Sequence, residues 1–361
     1  MSRRRRRSRA GAWVLVVVAI LAAAGAYFAR TGQAGSAGTD AQASPAASPQ
    51  AAPASAGSWQ LVQEPSAGMA GIRQLITGAK RSIDMTMYEL QDTQTVDELT
   101  AAAQRGVTVR VILDAAYSGK SANADAYTQL EHGGVAVKWG PASTIVHQKT
   151  ITVDAGQAGA ASAIGTANLQ QQYYASTLDA WVIDRDQAQV DAIEATFASD
   201  WAAMPGQLGQ AQNAAGLLWS PGAQSALASV IASAKTRVQF SSEELSDEAV
   251  IQALEGRAKA GVACQVLMTQ QSEYAAAMRQ LEAAGCSVHA YPDSSSALYV
   301  HEKQVIVDND ELLIGSQNAS VASLSYDREM SVLVTSQSAP AVVSEAESAY
   351  TSAFNGAPTA Q

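Results

Sequence analysis

Two stretches of this chain carry the same reactive side chains at the same spacing. His147, Lys149 and Asp154 follow the pattern His-x-Lys-x4-Asp, and His301, Lys303 and Asp308 repeat it. Ten residues separate Asp154 from Gly165-Thr166-Ala167-Asn168, and six separate Asp308 from Gly315-Ser316-Gln317-Asn318. An acid stands eleven positions beyond each Asn: Asp179 in the first copy, Glu329 in the second. These residue types suit displacement at a phosphodiester. Lys149, Lys303, Asn168 and Asn318 can neutralise the equatorial oxygens of a phosphoryl group, with the Thr166 and Ser316 hydroxyls in support. One His can attack phosphorus while the other protonates the leaving oxygen. Each acid is expected to hydrogen-bond the far nitrogen of its own copy's His and so fix the tautomer.

Positioning these groups requires elements that also repeat. The segment Ile72 to Leu90 (IRQLITGAKRSIDMTMYEL) matches Leu227 to Leu245 (LASVIASAKTRVQFSSEEL) at a shift of 155. In the first, helical spacing at Leu75, Ile76 and Ala79 passes into alternation at Ile83, Met85 and Met87. A helix is expected next in each half, around Val96 to Arg105 and Ala249 to Ala260, each stopped by a Gly (Gly106, Gly261). Strands follow at Val107 to Asp114 and Val262 to Met268. Then come a second helix and the Gly-led strands Gly134 to Gly140 and Gly285 to Tyr291. Helices alternating with strands indicate an α/β fold with a largely parallel sheet. Two such copies predict two similar lobes, related by a pseudo-twofold, with a site in the cleft between them. If the motif lies on a strand, His147 and Lys149 share a face, as do His301 and Lys303. A hairpin would then bring in the Gly-Thr or Gly-Ser turn and its Asn.

The duplicated motif, with its timed Gly-Thr/Ser-x-Asn and acid, resembles the signature of the phospholipase D superfamily. The resemblance runs from EPSAGMAGIRQLITGAKRSIDMTMYEL to SYDREMSVLV, the whole body of the chain. It implies two phospholipase D-like lobes, each a mostly parallel or mixed sheet flanked by helices. It also implies a two-step, metal-independent reaction through a phosphohistidine, needing no cofactor. By the family's usual order His147 is the nucleophile and His301 the general acid, an order that the symmetry of the sequence leaves open. Asp154 and Asp308 become structural, hydrogen-bonding residues. The first copy departs from the pattern in three places. Its Ala/Gly-rich stretch AGQAGAASAI predicts a longer hairpin loop. Thr166 stands where Ser is usual. Asp179 is shorter than Glu329, which bears on how His147 is held.

Composition sets the surroundings. The chain is 47% hydrophobic and 16% charged, enough apolar content for a sizeable core over 361 residues. Residues 1–30 hold seven Arg and no acid; the remainder has 16 basic and 33 acidic residues, a net charge of -17. So acidic a body disfavours nucleic acid as a partner. The 17-residue apolar run Ala12 to Phe28, behind the Arg cluster, spans about 25 Å as a helix. It reads as a signal peptide or an N-terminal membrane anchor within 1–30. Residues 31–57 lack core-forming residues and read as a disordered Ala/Pro/Ser/Gly linker. The lobes are then expected at 58–205 and 206–361. Cys264 and Cys286 fall on successive predicted strands, and both a disulfide and two buried thiols remain open. His132 and His289 read as structural. The expectation is an exported monomer with an internal pseudo-dimer, hydrolysing phospholipid headgroup esters at a membrane surface. The rivals are a phosphatidyltransferase of the cardiolipin synthase type, a secreted nuclease, and a non-catalytic envelope-binding module.

Overall fold

The computed structural model describes residues 59–360; the apolar run Ala12 to Phe28 and the linker lie outside them. Among the described residues, no helix is long and apolar enough to cross a membrane. The first lobe is a sheet ordered β1 (Trp59–Glu64), β7 (Thr177–Asp184), β6 (Ala161–Gly165), β5 (Thr150–Val153), β2 (Ser82–Met87), β3 (Thr108–Leu113), β4 (Ala136–Trp139). The second is ordered β11 (Ser287–Pro292), β10 (Ala263–Gln270), β9 (Arg237–Ser241), β13 (Gln304–Val307), β14 (Glu311–Gly315), β15 (Glu329–Thr335), β8 (Leu217–Ser220). Read from its other edge, the first sheet has the order of the second, so the sequence duplication is a duplication of topology. Both sheets are mixed. The crossover strands β2–β3–β4 and β9–β10–β11 are parallel. The hairpin strands that follow are antiparallel, because short loops can join them directly.

The strands are apolar on both sides because both faces are covered. Ala163, Trp181 and Ile183 point into the first lobe's own helical layer, while Ile164, Ala180 and Val182 point the other way. In the second lobe, Val305, Leu313 and Leu333 face its own helices, and Ile306, Leu312, Ile314, Val332 and Val334 face out. The two outward sets meet in one shared core, joined by residues of the helices Gln187–Ala203 and Pro340–Gly356. That shared core sets the two lobes face to face. Asp92, Asp186 and Asp247 accept backbone N–H bonds at the first turns of their helices, satisfying donors that the helix itself leaves free. Cys264 and Cys286 form a disulfide between β10 and β11, with Cα atoms 4.6 Å apart.

The hairpins differ as expected. The loop joining β5 to β6 runs from 154 to 160, and that joining β13 to β14 only from 308 to 310. Each begins at a motif Asp in the left-handed region, φ 52° at Asp154 and 54° at Asp308. The Asp154 carboxylate accepts the backbone N–H groups of Lys80, Arg81 and Ser82. Asp308 accepts those of Lys235, Thr236 and Arg237, which hold it down at about 2 against the effect of its partial burial. Each Asp therefore ties the far end of its hairpin to the entry of β2 or β9. It stands at the opposite end of the strand from the motif His.

Several buried carboxyls lack compensation. Glu64, opposite Asp179 in the β1–β7 ladder, is fully buried with neither oxygen hydrogen-bonded. The Trp181 indole N–H approaches it but stays outside hydrogen-bond geometry. Burial, then the charge of Asp179, pushes Glu64 up to about 8; burial does the same for Asp184. A carboxyl raised on folding stabilises the fold at low pH, and that stability is lost as pH rises from its unfolded value of about 4 through its folded one. Thermal melts should therefore show a lower Tm at pH 8 than at pH 5. Glu64→Gln should raise the Tm at pH 8 by about 2–5 °C and leave the pH 5 value nearly unchanged.

Candidate active site

The motif His and Lys do not sit on a strand. His147–Lys149 and His301–Lys303 lie outside the strands, just ahead of β5 and β13. Two short parallel pairings hold them, and both cross between lobes. Val146 bridges Arg328; the Arg328 N–H bonds the Ile145 carbonyl at 2.9 Å, and the Gln148 N–H bonds the Arg328 carbonyl at 2.9 Å. On the other side β12 (Tyr299–Val300) pairs with Thr177–Leu178 of β7, and the Glu302 N–H reaches the Leu178 carbonyl at 2.8 Å. The residue after Val146 is His147, and the residue after Arg328 is Glu329. The residue after Val300 is His301, and the residue after Leu178 is Asp179.

The result corrects the expected pairing of acids with histidines. His147 Nδ1 lies 2.7 Å from Glu329 Oε2, and His301 Nδ1 lies 2.8 Å from Asp179 Oδ1. Each acid orients the other copy's imidazole, because the shared core brings the end of one lobe's His segment beside the start of the other lobe's final strand. The short Asp179 therefore bears on His301, not on His147.

The hydroxyls are corrected as well. Thr166 is fully buried; its Oγ1 donates to Asp179 at 2.6 Å and accepts the Ala180 N–H at 2.9 Å. Ser316 exchanges bonds with the Met330 backbone, beside Glu329, and Ser323 donates to Glu329 Oε1 at 2.6 Å. The Thr166 and Ser323 hydroxyls thus position carboxylates, and that of Ser316 is tied to backbone. The motif glycines have a steric reason. A Cβ at Gly165 would enter the Trp181 ring, and one at Gly315 would enter the β15 backbone.

Lys149 and Lys303 are buried, and each bends back to donate to the carbonyl of its own motif His, His147 at 2.7 Å in the first case. Asn318 meets Ser242 through its side-chain oxygen at 3.5 Å, whereas the side-chain oxygen of Asn168 is buried with no partner. Burial, reinforced by the charges of Lys149 and Lys303, holds His147 well below the usual imidazole range. Burial also pushes Glu329 up to about 7 and Lys149 down to about 7. Asp179 differs: burial works to raise it, but His301, Lys303 and Thr166 outweigh burial and hold it low.

Three residues of the site carry no motif signal. The Tyr88 ring stands edge-on to the His147 ring at 4.6 Å between centroids, and the Lys149 ammonium lies 5.1 Å from the Tyr88 centroid. Glu243 holds the equivalent place in the second lobe, 3.2 Å from Lys303 Nζ and 3.4 Å from His301 Nε2. The internal repeat alone aligns Tyr88 with Glu243, so their place in the fold was legible but their role was not. Arg328, buried, reaches from the second lobe to Asp200 of the helix Gln187–Ala203 at 3.0 Å and pins the segment that presents Glu329.

Comparison with known proteins agrees with this architecture. The family model described as "Cardiolipin synthase, PLD-like domain" matches residues 72–201 and again 227–354. The chain belongs to the phospholipase D superfamily. No curated protein matches it. Among solved structures, this superfamily member is similar to the phosphatidylserine synthase of Haemophilus influenzae Rd KW20, with a TM-score of 0.62 at 13% identity over 84% of this chain and 87% of that one. It is also similar to the polyphosphate kinase of Porphyromonas gingivalis, with a TM-score of 0.57 at 16% identity over 76% of this chain. It spans 47% of that kinase's length. At such identities the likeness shows the fold.

The crosswise pairing in this phospholipase D-like chain is directly measurable. Glu329→Gln should displace the imidazole 15N resonances of His147 and leave those of His301 in place, and Asp179→Asn should do the reverse. Pairing within each copy would give the opposite assignment.

Proposed function

We propose that this chain is a phospholipase D-type phosphodiesterase that hydrolyses phospholipid headgroup esters through a phosphohistidine, with His147 as nucleophile and His301 as general acid. The observation that carries the reading is the difference between two otherwise equivalent half-sites. His147 has one carboxylate, the raised Glu329, and its other ring neighbour is the neutral Tyr88. A neutral imidazole donating Nδ1–H to Glu329 leaves its Nε2 lone pair for phosphorus. His301 has carboxylates beside both ring nitrogens, Asp179 at 2.8 Å from Nδ1 and Glu243 at 3.4 Å from Nε2, surroundings that suit the acid role.

The reaction follows from this arrangement. His147 Nε2 forms a bond to phosphorus as the bond to the headgroup oxygen breaks, and His301 gives that oxygen its proton. The charge on the equatorial oxygens is met by Lys149 and Lys303, with Asn168 and Asn318 at the same end of the hairpins. Water then loses a proton to His301 and attacks phosphorus, breaking the N–P bond and freeing His147. Export fits the Cys264–Cys286 disulfide, a bond that persists in oxidising compartments. In this reading the Arg-flanked apolar segment is a signal or tether, and the substrate lies at a membrane surface.

A second reading, phosphatidyl transfer, has specific support. The matching family model carries a cardiolipin synthase description, and one structural neighbour is a phosphatidylserine synthase. An alcohol would then replace water in the second step.

The test is turnover of phosphatidylcholine and phosphatidylglycerol by the full chain, with and without added glycerol, and with DNA as a third substrate. Phosphatidic acid as the main lipid product supports hydrolysis, and a new phosphodiester that grows with glycerol supports transfer. His147→Ala should abolish phosphate label on the protein after acid-free quenching. His301→Ala should retain label from a nitrophenyl ester, whose leaving group needs no proton, while natural substrates slow by about 10²–10⁴-fold. Label kept in His147→Ala and lost in His301→Ala would reverse the two roles.

A further inference from the structure

The carboxylate of Glu243 meets two charged groups of the second half-site at once. Its Oε2 meets Lys303 Nζ at 3.2 Å and His301 Nε2 at 3.4 Å. His301 Nδ1 is engaged by Asp179, so Nε2 is the nitrogen that must reach the leaving oxygen. Two of the donors that the second lobe offers to a phosphoryl group, Lys303 and His301, are thus met by one protein oxygen. The other oxygen, Oε1, accepts the Tyr299 hydroxyl at 3.0 Å, and that hydroxyl is itself held by Gln271 at 2.9 Å.

A simple structural ion pair for Lys303 would account for the contact but not for its asymmetry. The equivalent position in the first lobe is Tyr88, a neutral ring, and Lys149 is buried there without a carboxylate at that place. The fold therefore does not require an acid here. The Glu243 side chain is 24% exposed, against 2% for Lys303, so the acid is the more accessible member of the pair. Burial alone would raise the Glu243 carboxyl, but Lys303 and His301 more than reverse this and keep it an anion.

We propose that Glu243 is a resident counter-anion that occupies the phosphate position and competes with free phosphate and phosphomonoesters for Lys303 and His301. The proposal deepens the phosphodiesterase reading and rests on it for the identity of the site. A substrate phosphodiester carries one negative charge, whereas the phosphomonoester left by hydrolysis approaches two. Repulsion by a displaced but nearby carboxylate grows with the product of the charges, so it weighs more heavily on the product than on the substrate. Glu243 would then set specificity against small anions and speed product release, while a diester anchored by the rest of its lipid pays the displacement from its other contacts.

The experiment is calorimetric titration of inorganic phosphate into the full chain and into Glu243→Gln, Glu243→Ala and Glu243→Asp. The Gln and Ala variants should bind phosphate roughly tenfold or more tightly than the parent, and Asp should restore weak binding. Tyr299→Phe frees Oε1 while keeping the Lys303 pair, and it should tighten phosphate by a smaller factor. It decides the matter should the position 243 variants fail to fold. Phosphate affinity that is unchanged, weakened or undetectable in the folded variants would overturn the proposal and leave Glu243 a structural partner of Lys303. Phosphodiester turnover by the parent chain, measured on the same preparations, reports separately on the proposed function. Tightened phosphate binding without any turnover would sink that function and leave the anion competition standing.

Discussion

Two crosswise hydrogen bonds, Glu329 to His147 and Asp179 to His301, are the constraint on which the site depends. Each imidazole has two ring nitrogens, and the chemistry needs one of them turned to the cleft with its protonation state set. A carboxylate from the same hairpin would fix the ring within one lobe and leave the lobes free to shift. A carboxylate from the other lobe makes the tautomer of each His depend on the docking of the two lobes. The bridges Val146–Arg328 and Val300–Leu178 deliver that carboxylate one residue further along, and Arg328 braces one of them against Asp200.

The shared core explains why such bridges are available. Successive residues of β6, β7, β13, β14 and β15 alternate between a lobe's own helical layer and the layer between the lobes. Apolar area buried between the sheets fixes their relative placement non-directionally, and the short bridges then fix the register. Separating the lobes would expose that layer and release both imidazoles, so fold stability and site geometry are coupled. The buried acids near the interface, Glu64 and Glu302 among them, are raised by the same burial that holds the lobes together.

Near-symmetry of fold is combined with asymmetry of charge in the two half-sites. Burial disfavours an imidazolium at His147, and Tyr88 adds no charge beside it. At His301 the carboxylates of Asp179 and Glu243 flank the ring. The aromatic ring of Tyr88 in place of the Glu243 carboxylate thus gives two histidines that topology makes equivalent different neighbours.

The sequence by itself determined the inventory. It named the two His, two Lys and two Asn, the duplication, the α/β class, the order of strands and helices, and the longer first hairpin. These are local or periodic properties, and spacing within one segment suffices to read them. It misassigned whatever depended on partners across the chain. Each acid was paired with the nearer His, because a sequence reports distance along the backbone and Asp179 and His301 are brought together only by the docking of two sheets. Thr166 and Ser316 were turned toward the phosphate, although burial beside Asp179 and Met330 directs them to the acids' own strand ends. The spacing suggests a strand at His147–Lys149, but this segment's backbone bonds are split between Arg328 of the other lobe and Gly165 of its own. Nothing local distinguishes Glu243 from an ordinary acid at a strand end. Only tertiary structure, by closing one lobe on the other, places its carboxylate between Lys303 and His301.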